Sequence, residues 1–285
     1  MPATLLSVLA HPDDESFGMG GTLAYYASRG VKVYLVCATL GEAGDVPSEL
    51  MQEGGSAAAI RRRELECAAG ELGLSGVFYL GYRDSGMLGS TDNVHPQALA
   101  AQTTGTVAKK VADYIRQLHP QVVLTFDPIG GYKHPDHVAI HRATVAGFDL
   151  AANPEYVSAD APYRAQKLYY HIMPKGWMRW TLRLLPLFGR DPRYYGRNKD
   201  IDLVALVEEG DFPTHAKIDY KNVASRKDAA AACHESQLFG GPPRRGITAF
   251  LMRRTSRIDH FMRGIPPPVT GVVERDLFQD VDVNI

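Results

Sequence analysis

Thr4-Leu5-Leu6-Ser7-Val8-Leu9-Ala10 runs directly into His11-Pro12-Asp13-Asp14-Glu15, and the reading of this junction decides the fold. The apolar run is short and reads as a first, buried strand. An imidazole and three carboxyl groups then stand at its C-terminal end, the edge where ligand crevices form in open α/β sheets. Three consecutive carboxylates repel one another, and burial sharpens the repulsion. A bound cation removes the conflict, and His with Asp supplies suitable ligands. The junction predicts a metal-dependent hydrolase.

Outward from it, strand-like and helix-like segments alternate. A Gly-rich turn leads to a helix over Leu23–Arg29, then a β-branched run, Val31–Ala38, reads as a second strand. Ile60, Leu65, Ala68 and Leu72 give helical spacing over 57–72, and 76–81 reads as a third strand. A helix is expected over Gln97–Leu118 and a fourth strand over Gln121–Phe126. This order predicts an α/β, Rossmann-like fold: a mainly parallel sheet with helices on both faces. Further on, Lys167–Met173 and Asp202–Val207 read as strands and Lys221–Cys233 as a helix, with irregular C-terminal additions. One domain over 1–285 is expected, with an α/β core at 1–150, an insert at 174–215 and an extension at 238–285.

A net charge of −1 gives no field favouring nucleic acid or an anionic membrane, so neither class of partner is expected on that ground. Apolar content of 45% with 22% charged residues fits a soluble globular chain. Cys37, Cys67 and Cys233 are odd in number and widely spaced, which predicts a reducing compartment and no disulfide framework. The first residues lack a basic leader, and no stretch reaches membrane-spanning length without charge. A cytoplasmic protein is expected.

A second loop mirrors the first. Pro128-Ile129-Gly130-Gly131-Tyr132-Lys133-His134-Pro135-Asp136-His137 follows the fourth strand. In a doubly wound sheet both loops open on one edge and can converge on a single ion. Pro135 suits the first turn of a helix, which puts His134 near the cap and His137 one turn inward; His141 follows along a similar face. Gly18-Met19-Gly20-Gly21 has some likeness to a dinucleotide fingerprint, but Leu23 stands where the third glycine belongs, and the acidic cluster repels a pyrophosphate.

Taken together, Ala10–Glu15, His134-Pro135-Asp136-His137 and Ala232-Cys233-His234-Glu235-Ser236-Gln237 resemble the LmbE-like, or PIG-L, family of zinc-dependent N-acetylglucosaminyl deacetylases. The resemblance extends to Leu40–Asp45, Arg61–Leu65 and Leu80–Met87. It implies His11, Asp14 and His137 as zinc ligands, leaving a position for water; the same set also suits Fe²⁺. It implies Asp13 as general base and His134 as the group that stabilises the tetrahedral intermediate or protonates the leaving amine, most useful if protonated. Asp136 either orients the His134 imidazole or is an acid at a helix N-terminus. Arg61 binds a phosphate or sugar hydroxyl, or else is a solvated helix charge. Glu42 and Asp84 hold sugar hydroxyls or form turns, and Tyr132 covers the site or packs. Glu15 reads as a capping or supporting group, and His234 and Gln237 as structural or as supports behind the ligands.

The activity implied is removal of the N-acetyl group from a small N-acetylglucosaminyl glycoside, releasing acetate. The alternatives are an amidase for a larger sugar-thiol conjugate and a non-enzymatic sugar-binding module. Between Pro174 and Lys199, seven basic residues interleave with Trp177, Trp180 and several leucines. This segment reads as a lid or homo-oligomer contact, a membrane-surface patch or a solvated loop, with the first favoured.

Overall fold

In the computed structural model, β1 (Thr4–Leu9), buried along its whole length, is an interior strand of a seven-stranded sheet. The structure describes residues 2–51, 55–175, 182, 191, 193, 202–208, 211–238 and 257–283. The strands are β2 (Lys32–Cys37), β3 (Gly76–Tyr79), β4 (Val122–Phe126), β5 (Lys167–Ile172), β6 (Ala216–Asp219) and β7 (Ile258–Ile265). Their order is β3-β2-β1-β4-β5-β7-β6; the first five are parallel, and β7 runs antiparallel to both β5 and β6.

The helices are α1 (Asp14–Phe17), α2 (Gly20–Ser28), α3 (Ala57–Leu72), α4 (Thr104–Leu118), α5 (Gly130–Lys133), α6 (Pro135–Ala152), α7 (Leu203–Glu208), α8 (Ala224–Cys233) and α9 (Glu235–Leu238). Their bounds follow local chemistry. Ser56 caps α3 by accepting the Ala59 N–H, and Gly73 closes it in the left-handed conformation. Thr103 caps α4 in the same way through the Thr106 N–H.

β1 is flanked by β2 on one side and β4 on the other, so the winding reverses between β1 and β4. That reversal opens a crevice at the carboxyl ends of these two strands. Both His-containing loops leave the sheet there.

Several expectations are corrected. Leu203–Glu208 is helical rather than a strand, because a short apolar run carries no decisive periodicity. The helix expected from Gln97 starts at Thr104, after a 3₁₀ turn at Leu99–Ala101. The tail contributes β7 to the sheet. Gly21 serves packing, since a Cβ there would lie 2.2 Å from the Tyr220 ring. Cys67 and Cys233 are joined in a disulfide across α3 and α8, 166 residues apart in sequence, while Cys37 is free and buried. Sequence spacing carries no trace of that pairing. Most of the basic aromatic segment 174–200 and residues 239–256 of the tail lie outside the described residues. Among the described residues no helix is long and apolar enough to cross a membrane.

Candidate active site

β1 delivers His11, whose N–H donates to Asp14 Oδ2 at 2.7 Å. Between them Asp13 takes φ +118°, a conformation that L side chains rarely adopt. Such strain persists only where the surroundings over-determine it.

β4 delivers Asp127, whose Oδ1 accepts the N–H groups of Ile129 and Gly131 and so turns the chain back. His134 then caps α6, its Nδ1 accepting the Asp136 N–H at 3.2 Å, with Pro135 in the first turn. Gly130 has φ +68°, and a Cβ there would sit 2.7 Å from the His137 Cβ. Only glycine lets this turn approach His137 so closely. His137 stacks on Phe126 at 3.9 Å between centroids, which fixes its ring plane.

Hydrogen bonds orient both imidazoles. Asp136 Oδ2 lies 3.1 Å from His11 Nε2, and the Gly130 carbonyl 3.2 Å from His137 Nδ1. These are pure acceptors, so the protons sit on those two nitrogens. His11 Nδ1 and His137 Nε2 therefore face each other at 3.2 Å. Asp14 completes the triangle, 3.6 Å from the former and 3.3 Å from the latter. Burial opposes charge on His11, yet Asp136, Asp14 and Asp84 override it and hold the imidazole well above its ordinary value. Burial likewise pushes Asp14 up, and His137 with His11 reverses this, leaving it well below the usual carboxylate range. Two buried imidazoles and a largely covered carboxylate aimed at one point call for a positive charge, either a proton or a divalent ion.

Two other triples also cluster tightly enough to hold an ion: His11 with His134 and His137, and His11 with Asp84 and Asp136. Asp136 is already committed to Ser85, accepting its N–H at 2.9 Å and its Oγ–H. His134 has spent Nδ1 on the cap of α6. In the His11–Asp14–His137 triangle, Asp14 Oδ2 accepts the His11 N–H, while His11 Nδ1, His137 Nε2 and Asp14 Oδ1 remain directed at one another.

The remaining predicted residues fall around this triangle. Asp84 Oδ1 lies 3.5 Å from His11 Nε2, and the Asp84 N–H donates to Glu42 Oε2 at 3.0 Å. Tyr132 stands edge-on to His137, ring centroids 5.0 Å apart. The guanidinium of Arg61 is no solvated helix charge: it is buried and donates to the Pro12 carbonyl at 2.7 Å, Asp13 Oδ2 at 3.1 Å and the Gly41 carbonyl at 3.1 Å. Gly41 has φ +67°, and a Cβ there would overlap Arg61. Asp136 does not orient the His134 imidazole; its carboxylate orients His11, while its backbone N–H meets His134. His141 turns away to the Phe126 carbonyl at 2.8 Å.

Electrostatics separate the two candidate catalysts. Burial pushes the Asp13 carboxyl up to about 6, with Arg61 pulling it down and Asp14 pushing it further up. Burial, with the charges of His11 and His137, drives His134 down to about 2. This corrects the expectation of a protonated His134. With Nδ1 accepting the Asp136 N–H, the neutral ring carries its hydrogen on Nε2 and is a donor there.

Sequence reading gave Glu15 as a capping or supporting group and missed Ser85 and Glu64. Ser85 fixes Asp136; Glu15 accepts the Asp13 N–H at 3.0 Å and meets His234 Nε2 at 2.7 Å; Glu64 accepts from Ser236. Glu64 falls at four-residue spacing on the Ile60–Ala68–Leu72 stripe, which was the available signal.

The model of the PIG-L family, GlcNAc-PI de-N-acetylase, matches residues 6–148. The 1D-myo-inositol 2-acetamido-2-deoxy-alpha-D-glucopyranoside deacetylase of Acidothermus cellulolyticus is 36% identical over 99% of this chain and 97% of its own length. The enzyme of the same name from Streptomyces griseus is 35% identical over 96% of this chain and 88% of its own. The N,N'-diacetylchitobiose deacetylase of Pyrococcus horikoshii, at 22% identity, shares the fold with a TM-score of 0.60 over 92% of this chain and 83% of its own. A family match across half the chain and relatives near full length carry one conclusion: this metal-dependent amide hydrolase belongs to the PIG-L family of de-N-acetylases.

Proposed function

We propose that the chain removes the N-acetyl group of a small N-acetylglucosaminyl glycoside with zinc in the His11–Asp14–His137 triangle, and that inositol is the aglycone, as the names of its near-full-length relatives indicate. The observation that carries this reading is the inward convergence of two buried imidazoles and a largely covered carboxylate beside a strained Asp13. Two imidazoles and one carboxylate suit Zn²⁺ and leave a position open. We read the chain as one deacetylase domain acting in the cytoplasm.

When bound, the ion supplies Lewis acidity to the acetamide carbonyl and makes the attacking water more acidic. Asp13 takes the proton of that water as its oxygen bonds to the carbonyl carbon. A conjugate acid near 6 lets this carboxylate serve as base at neutral pH and return the proton to the leaving nitrogen. His134 Nε2–H donates to the developing oxyanion. The C–N bond breaks, and acetate and the sugar amine depart. Glu42 and Asp84 face the sugar hydroxyls in this scheme, and Tyr132 lies over the His137 side. A cavity of about 300 Å³ between the ends of β2 and β3, walled by Glu42, Tyr79, Tyr82 and Arg83, offers room for a polyol aglycone.

The test is acetate and amine release from a panel of N-acetylglucosaminides differing only in aglycone, with zinc-loaded enzyme. The inositol glycoside is expected to give the highest kcat/KM. No release from any member would defeat the proposal.

A further inference from the structure

Arg61, Glu64 and Cys67 recur at three-residue spacing on α3 and so share one face of the helix. Each fastens a different part of the site loops. Arg61 holds Pro12 and Asp13. Glu64 accepts the Ser236 N–H and Oγ–H, both at 2.7 Å. Cys67 is bonded to Cys233. The four-residue segment Cys233–Ser236 is thus tied to α3 at both ends. Between the ties, His234 is fully buried and reaches Glu15 Oε1 at 2.7 Å, and Glu15, also fully buried, accepts the Asp13 N–H through Oε2 at 3.0 Å.

Asp13 is therefore gripped from two sides: its carboxylate by Arg61 and its backbone by Glu15. A residue at φ +118° needs such a grip, since its relaxed conformation lies elsewhere. We propose that His234 and Glu15 are positioning residues for Asp13, and that the Cys67–Cys233 bond is a redox latch holding them in place. The inference rests on the reading of Asp13 as the general base.

Cys67 is exposed, so a dithiol can reach it. A thiolate of the dithiol attacks one sulfur of the Cys67–Cys233 bond and forms a mixed disulfide; its second thiol then closes on the first. One S–S bond breaks, two protein thiols form, and the dithiol becomes a disulfide. Two electrons and two protons pass to the protein. With the latch open, Cys233–His234 loses its one covalent tie to α3 and is held by the Ser236–Glu64 bonds and the packing of α8 on α3, and the support under Asp13 loosens. No side chain of the ligand triangle is a link in this path, so zinc content is expected to hold. A disulfide in a reducing compartment is commonly of this responsive kind.

The experiment compares oxidised and phosphine-reduced zinc-loaded enzyme, with thiols counted by alkylation and mass spectrometry. Reduction is expected to lower kcat about tenfold while KM stays within about twofold and zinc content is unchanged. Cys233→Ser should show the lowered kcat and no response to reductant. His234→Gln should also be slow, and reduction should no longer slow it further, because the link is already cut. Amide hydrogen exchange over residues 11–17 should rise roughly tenfold on reduction, with α4 unchanged; this readout stands even if no glycoside is turned over. Complete reduction with unaltered kcat and unaltered exchange would overturn the inference. So would a redox response undiminished in His234→Gln, or loss of zinc in step with kcat. An oxidised wild type inactive on every glycoside would instead count against the proposed function.

Discussion

Arg61 and Asp13 form a partly buried ion pair 3.1 Å apart, although one lies on α3 and the other follows β1. The guanidinium also spans the Pro12 and Gly41 carbonyls, so it fixes the loop as well as the charge. Its effect on chemistry follows from sign. Burial raises the Asp13 carboxyl and Arg61 lowers it, with the balance near 6. A base works as carboxylate, so the rate rises with pH through this value, and the positive charge of a bound ion pulls the limb lower still. The acid limb of kcat/KM in the wild type is expected at or below about pH 6.

Arg61→Met removes the lowering influence and keeps the aliphatic stem. The acid limb should move up by about one pH unit or more, and kcat at pH 7 should fall at least tenfold, by order-of-magnitude reasoning. A pH–rate profile at saturating zinc checks this. A slow variant with an unmoved limb would mean that Arg61 serves only as a strut.

His137 and Asp136 test the ligand triangle at two depths. His137→Ala deletes a donor, and zinc affinity should drop more than about hundredfold, taking activity with it. Asp136→Asn keeps the shape but weakens the acceptor that sets the His11 proton on Nε2. Its zinc affinity should fall roughly 10- to 100-fold, with turnover restored at high zinc. Asp13→Asn should keep the metal and lose about 10²- to 10⁴-fold in kcat. Metal titration followed by steady-state assay separates the three. Full zinc content in His137→Ala would refute the triangle.

The neutral state of His134 makes a separate claim. Driven to about 2, this imidazole does not titrate between pH 5 and 9, so it contributes no limb to the profile. His134→Ala should lower kcat by about 10²- to 10³-fold, the cost of one oxyanion donor, with both limbs left in place. Disappearance of an alkaline limb in this variant would show that a protonated His134 does the work.

How much of this was legible depended on whether a feature is local. α3 was read over its exact span from apolar spacing, and the structure closes it at those ends with the Ser56 cap and Gly73. The position of His134 at a helix cap followed from Pro135 alone. Asp136 was misassigned because its sequence neighbour is His134, whereas its carboxylate partner, His11, is 125 residues away. Arg61 was read as a substrate-binding residue or a solvated charge; its hold on Pro12 and Asp13, 49 and 48 residues away, is not written in residues 61–63. β6 and β7 escaped notice because short antiparallel edge strands lack the continuous apolar run that marked β1 and β4.

Arg116 supplies a stability prediction independent of the site. It ends α4 almost wholly buried, and its guanidinium donates to four carbonyls: Ala151 and Asn153 at the close of α6, then Tyr156 and Asp160 beyond it. One rigid fork therefore organises the connection that leads into β5. Arg116→Met fills similar space but leaves the four acceptors without their shared donor, which should cost about 2–4 kcal/mol. Arg116→Lys should recover only part of this, because an ammonium cannot match a planar fork. The contacts lie at the amino end of β4, whereas the His134 loop leaves its carboxyl end, so kcat of the folded variants should stay within about twofold of wild type. Urea unfolding checks the first claim and steady-state assay the second. An unchanged unfolding midpoint in Arg116→Met would show that the loop is held by its other contacts, such as Tyr156 and Ser158 on Asp113.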